Sequence, residues 1–211
     1  MKKITLSSVV ALFTATVLTG FGVVVFIHAN LGSDTITVFI DGLRNRCSLT
    51  LGEASRIYNI SALLLALAFS RKDIGWTSVV YALSTGFVMD FFDPLLPMQF
   101  IQSTLFIRIL AVLFGQLCII LSFALLIRFG RGMDQLDAIA YGLCRMLPFP
   151  FSAVRTAMDM LLLVSGFLMG GVAGIGSVIA MATTGIGIDR LLHTSWFTKQ
   201  EEIGEQYEKS T

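Results

Sequence analysis

From Ile4 to Ile27 the chain carries no charged side chain, and this stretch decides the solvent in which the rest must fold. A helix over it is long enough to cross a hydrocarbon core of about 30 Å. Backbone in lipid must satisfy its own N–H and C=O groups, so the stretch predicts a transmembrane helix. Met1-Lys2-Lys3 ahead of it also suits a signal peptide. The apolar run nevertheless exceeds the usual h-region of roughly 7–15 residues, and no A-x-A-like site follows it. It is read as a first, uncleaved span. Composition agrees: 55% of residues are hydrophobic and 14% charged, against about 25% charged in a typical soluble domain. A net charge of +1 gives no reason to expect nucleic acid or a strongly charged partner.

Three further stretches are comparably apolar: Trp76–Phe92, Leu105–Ile127 and Val172–Ile188. Two more contain polar residues: Glu53–Ser70, with Glu53, Arg56 and Asn59, and Phe151–Met169, with Arg155 and Asp159. The intervening segments Thr35–Leu43 and Gln135–Leu143 would form helices of roughly 14 Å, too short to cross, and are expected to be re-entrant or interfacial. The predicted fold is an all-α membrane protein of six spans and two short helices. It forms a single polytopic domain, followed by a polar tail over 194–211. Basic residues set its orientation. Lys2, Lys3, Arg71, Lys72, Arg128, Arg131, Arg190 and Lys199 fall on the cytoplasmic side with both termini, and Asp90 and Asp93 fall outside. Arg44 and Arg46 break this pattern. Letting the short segments cross, for eight spans, would bring them inside but expel Arg71 and Lys72, so six is preferred.

The halves repeat one another at an offset of 100 residues. Gly32-Ser33-Asp34 matches Gly132-Met133-Asp134, Gly42-Leu43 matches Gly142-Leu143, and Asn59 falls on Asp159. After a one-residue deletion Gly75-Trp76-Thr77-Ser78-Val79 falls on Gly174-Ile175-Gly176-Ser177-Val178, Thr85-Gly86 on Thr184-Gly185, and Asp90 on Asp189. Apolar identities mean little in lipid-adapted sequences, whereas ordered Gly and Asp matches are hard to obtain by chance. The repeats cover about 4–95 and 104–193. Three spans in each would force the second half to enter the membrane from the opposite face, the inverted arrangement used by many transporters.

Ala29-Asn30-Leu31-Gly32-Ser33 followed by Gly42-Leu43, the Gly75-Trp76-Thr77 stretch, and Gly170-Gly171 before Gly174-Ile175-Gly176-Ser177 resemble the YczE/YyaS/YitT group of bacterial membrane proteins. The similarity runs from about Thr16 to Leu192. YitT-type members are similar but carry a soluble C-terminal domain, so the short tail here looks closer to the YczE branch. Ser177 departs from a frequent Thr in the group. The resemblance implies a multi-pass protein of the bacterial inner membrane and brings no substrate with it.

Charged groups inside such a chain are the functional candidates. Asp34 and Asp134 follow glycine-containing breaks and precede the short helices. Each suits an N-cap, and each also suits a carboxylate carried toward a central pathway. Asn30, Gly32 and Gly132 belong to those breaks, and Asp137 adds a carboxylate one turn into the second short helix. Asp159 lies deep in the fifth span with Arg155 four residues before it, on one helix face. They form either a structural ion pair or a solute or proton site. Asn59, its repeat partner, is neutral. Glu53 and Arg56 are expected to pair with each other at a solvated helix start. Asp90 and Asp189 end the third and sixth spans, where a negative charge opposes the helix dipole and calls for a cation. Trp196 is expected at the inner interface.

Cys47, Cys118, Cys144, His28 and His193 are scattered, giving no metal-ligand spacing and no cofactor motif. HExxH and GxSxG are absent, so enzymatic chemistry is not expected. A small-solute secondary transporter or channel is the leading expectation, with Asn30, Gly32, Asp34, Gly132, Asp134, Asp137, Arg155 and Asp159 along its pathway and Asn59, Asp90 and Asp189 as secondary candidates. A non-transporting accessory protein that scaffolds a partner is the alternative. The expected partners are the lipid bilayer and an unidentified small solute or ion, with homo-oligomerisation left open.

Overall fold

The computed structural model describes residues 6–71, 74–129, 134–146 and 148–192. Among the described residues the chain is helical throughout, without strands. The elements are α1 (Leu6–Ala29), α2 (Thr35–Cys47), α3 (Leu51–Ser70), α4 (Trp76–Phe92), a single turn α5 (Met98–Ile101), α6 (Leu105–Phe129), α7 (Gln135–Cys144), α8 (Phe151–Leu168) and α9 (Ile175–Leu192). Among the described residues three helices are long and apolar enough to cross a membrane: α1, α6 and α8. The polar pair in α8 did not deny it that standing. α3, α4 and α9 occupy the positions of the other three expected spans. α4 has only 17 residues, and α3 carries Glu53 and Arg56 within its first two turns. α9 begins later than its apolar run, because Gly170 to Gly174 form a loop with Gly170 at φ 97°.

Local chemistry sets the boundaries. α1 stops where Asn30 and Gly32 take positive φ (51° and 93°), and the Arg108 guanidinium donates to the freed carbonyls of Ala29 (2.7 Å) and Asn30. α2 starts on an Asp34 N-cap and ends at left-handed Ser48. α3 starts with a capping box, in which Thr50 Oγ1 accepts from the Glu53 N–H and Glu53 accepts from the Thr50 N–H. Glu53 is therefore a capping residue and not the partner of Arg56. The Arg56 guanidinium instead meets Asp90 at 3.0 Å and lies over the Phe87 ring. Asp90 also accepts from the Gly52 N–H, so the cation expected beside it comes from α3, across the α3–α4 seam.

Several helix contacts come in matching sets. α1 lies along α6; α1 also packs on α4 while α6 packs on α9, and α2 packs on α8 while α7 packs on α3. The α1–α6 contact is reciprocal in residue number. A Cβ on Gly22 would run into the Gly115 carbonyl, and seven residues along each helix the Ser122 hydroxyl donates to the Ala15 carbonyl at 2.8 Å. Positions 22 and 115 are thus mirrored by 122 and 15, as across a two-fold axis. One contact breaks the pattern. α3 packs along α4, whereas among the described residues α8 and α9 make no comparable seam. α8 accordingly shows Leu161, Val164, Phe167 and Leu168 on its surface.

Gly42 tests this arrangement. A Cβ there would collide with the Gly166 backbone of α8, where no flexible side chain can give way. Gly42→Val should destabilise the chain by about 1–3 kcal/mol, read as a lowered midpoint of thermal unfolding in detergent. An unchanged midpoint would mean that α2 does not dock on α8 this closely.

Candidate functional site

The first residues of the short helices converge. The Asp34 side chain caps α2 by accepting from the Thr37 N–H and hydroxyl, and the Asp134 side chain caps α7 by accepting from the Leu136 N–H at 3.1 Å. Three positions into α7, Asp137 meets Arg155 Nε at 2.9 Å. The same guanidinium meets Asp159 at 2.9 Å through Nη1. Asp159 in turn accepts a 2.8 Å hydrogen bond from the Thr35 hydroxyl, the first residue of α2. One polar chain, Thr35–Asp159–Arg155–Asp137, therefore ties the starts of α2 and α7 together through α8.

These groups enclose a cavity of about 610 Å³, lined by Asp34, Asp134, Asp137, Arg155 and Asp159 among others. The volume is that of a typical small-molecule site. Its walls combine the polar set with Ile119, Phe123, Leu126 and Met181, and with Tyr141 and Phe151, whose rings stack at a centroid distance of 4.4 Å. A cavity of about 50 Å³ also touches Asp34 and Asp134 but is otherwise lined by residues such as Ser55, Tyr58 and Asn59. The larger cavity lies beside the α8–α9 gap, and the smaller beside the packed half.

With this geometry in view, comparison with known proteins gives a family and no activity. The model of the DUF6198 family, described as a family of unknown function, matches residues 6–193. The chain belongs to this family. It is similar to an uncharacterized protein of Haemophilus influenzae, 25% identical over 179 residues that cover 83% of this chain and 78% of the relative. No solved structure matches.

The remaining sequence candidates are dispersed. Asn30 sits at the end of α1 with its carbonyl held by Arg108, outside the cavity lining. Gly32 packs against Gly174 and Ser177, and the neighbouring Leu31 carbonyl accepts from the Gly176 N–H at 2.8 Å. It joins the two halves and does not line the cavity. Asn59 donates to Ser55 at 3.2 Å beside the small cavity, and Asp90 is committed to Arg56. Gly132 and Trp196 lie outside the described residues. Asp189 falls in α9, with its side chain likewise outside them.

Several lining residues carried no signal in the sequence. Thr35 and Gln135 are buried repeat partners at the first position of each short helix, with Gln135 donating to the Ser78 carbonyl. Their shared offset of 100 could have drawn attention to them. Tyr81, buried and donating to Thr19 at 3.0 Å, looks like an ordinary span residue. A second polar cluster was also missed: buried His28 binds Asp93 at 3.0 Å, and Arg44 approaches the same carboxylate at 3.6 Å.

The Arg155 bridge gives the site a measurable energy. Removing the guanidinium strands Asp137 and Asp159, and because all three groups are partly exposed the cost should lie between surface and buried values, about 2 kcal/mol. Arg155→Gln should lower the thermal midpoint, and Arg155→Gln combined with Asp159→Asn should recover part of the loss. A double variant that loses as much as both single changes added together would show that the pair is not coupled.

Proposed function

We propose that the chain is a small-solute transporter or channel of the bacterial cell membrane, with the 610 Å³ cavity as its solute site. One observation carries the reading. The repeat-related carboxylates Asp34 and Asp134 border one cavity together with Asp137, Arg155 and Asp159, although 100 residues separate the two helix starts. Ionisable groups are costly in a membrane-embedded bundle and tend to mark solute or ion paths, and short helices starting at such a site are a recurrent transporter device.

The accompanying topology is six spans in two inverted halves, with α2 and α7 re-entrant and both termini cytoplasmic. Support comes from the reciprocal α1–α6 contact and from the exchange of α2 onto α8 and α7 onto α3. The glycine motifs quoted above support a resemblance to the YczE/YyaS/YitT group. A purely scaffolding role would leave the polar cavity without a purpose.

Two measurements test this. With Cys47, Cys118 and Cys144 replaced by Ser, single cysteines at position 71 and at position 95 should respond oppositely to a membrane-impermeant thiol reagent in intact cells. Position 95 should label and position 71 should not. Labelling of both from outside would rule out inverted halves. For function, proteoliposomes holding the full chain should take up at least one member of a panel of small amines, carboxylates and inorganic ions. Asp134→Asn and Asp159→Asn should each slow that uptake at least tenfold. Uptake unchanged in both variants would remove these residues from the pathway.

A further inference from the structure

The charge balance of the cavity selects the sign of its solute. Four carboxylates line it, from Asp34, Asp134, Asp137 and Asp159, against one guanidinium, from Arg155. Arg155 is spent on Asp137 and Asp159. Asp34 and Asp134 have no ion-pair partner among the described residues; each holds only the hydrogen bonds of its own helix start. The opposing consideration is that helix N-termini reach the lining, those of α2 and α7 and also the first-turn residues Thr77 and Ser78 of α4 and Phe151 of α8, and such ends attract anions. Each is worth about half a positive charge, so even four of them offset roughly two of the carboxyl groups, and the lining keeps more acidic than basic groups. The starts of α2 and α7 are moreover already capped by Asp34 and Asp134, which accept from the Thr37 and Leu136 backbone N–H groups.

The remaining walls narrow the class further. The space is far larger than a dehydrated metal ion requires, and no group of three or more His, Cys, Asp or Glu among the described residues is arranged to hold one. Aromatic faces are present instead, with Tyr141 stacked on Phe151 and Phe123 nearby in the lining. Such rings attract organic cations through their quadrupole. Ile119, Leu126 and Met181 would receive an apolar body.

We infer that the cavity binds a small organic cation, an ammonium or guanidinium group on an apolar frame, with Asp34 and Asp134 facing the charge. The inference rests on the cavity being the solute site, as proposed above, and deepens that reading.

The test is calorimetric titration of the full chain in detergent with two probes of similar size and opposite charge, phenyltrimethylammonium and benzenesulfonate. The cation should bind saturably and at least tenfold more tightly than the sulfonate. The double variant Asp34→Asn, Asp134→Asn should weaken cation binding at least tenfold. Asn is also a good N-cap, so this variant removes charge while keeping the helix starts, and its thermal midpoint verifies that. Should it unfold, the two-probe comparison on the unaltered chain still decides. Equal or tighter sulfonate binding, no saturable cation binding, or cation binding indifferent to the double change in folded protein would each overturn the inference. Because binding is read without flux, a chain that holds the cation but moves nothing would sink transport alone, and flux restricted to anions would sink the cation alone.

Discussion

Glycine-lined contacts hold this molecule at the helix separations on which everything else depends. Between helices in lipid the hydrophobic effect supplies little, because a lipid tail is as apolar as a leucine, and association relies on close van der Waals approach. Gly22 meets Gly115 between α1 and α6, Gly42 meets Gly166 between α2 and α8, and Gly52 meets Gly86 between α3 and α4. In each case an added methyl group would strike backbone. The α2–α8 contact matters most for chemistry, because it presses the start of α2 against α8 and so brings Thr35 within 2.8 Å of Asp159. Widening that seam by the size of a side chain would open the polar chain from Thr35 to Asp137 and dissolve the cavity wall.

The helical, apolar character of the chain could be read from the sequence because it is local, and α1, α6 and α8 are long and apolar enough to cross a membrane. A charge-free run reports its solvent residue by residue, and the helix boundaries of α4 fall at the expected residues, Trp76 and Phe92, although its 17 residues leave it shorter than α1, α6 and α8. The carboxylates now lining the cavity were also legible, since an acidic residue in an apolar chain is conspicuous wherever it packs. What escaped was pairing over distance. Arg56 looked like a partner for Glu53 three residues away, but Glu53 is taken by the capping box and Arg56 crosses to Asp90 on α4. His28 with Asp93, and Thr35 with Asp159, likewise join residues far apart in sequence. Periodicity says which face of a helix is polar, and it does not say which helix that face will meet. Asn30 and Gly32 show the converse: their motif was visible, but its glycine serves a turn and an inter-half contact.

Positions 100 residues apart carry different chemistry. Subtracting 100 from the charged set of α7 and α8 gives its counterpart in the first half: Asp137 answers to Thr37, Arg155 to Ser55 and Asp159 to Asn59. The local geometry is kept. Asn59 donates to Ser55 where Arg155 pairs with Asp159, each across four residues of helix. The chemistry differs, neutral hydrogen bonds in one half and full charges in the other.

That difference follows the packing. α3 closes on α4, and the neutral set borders a void of about 50 Å³, too small to hydrate ions; charges buried there would face a desolvation cost that their mutual attraction seldom recovers. α8 stands apart from α9, and the charged set borders about 610 Å³, where water or a polar solute can reach it. If the halves exchange roles as an inverted pair, moving the α8–α9 gap to α3–α4 would expose Ser55 and Asn59, which carry no charge to offer a solute. Asp34 and Asp134 touch both voids and, on the proposed transport reading, are the carboxylates that would face a solute in either arrangement. On that proposed reading Arg155, Asp137 and Asp159 would act from one side alone.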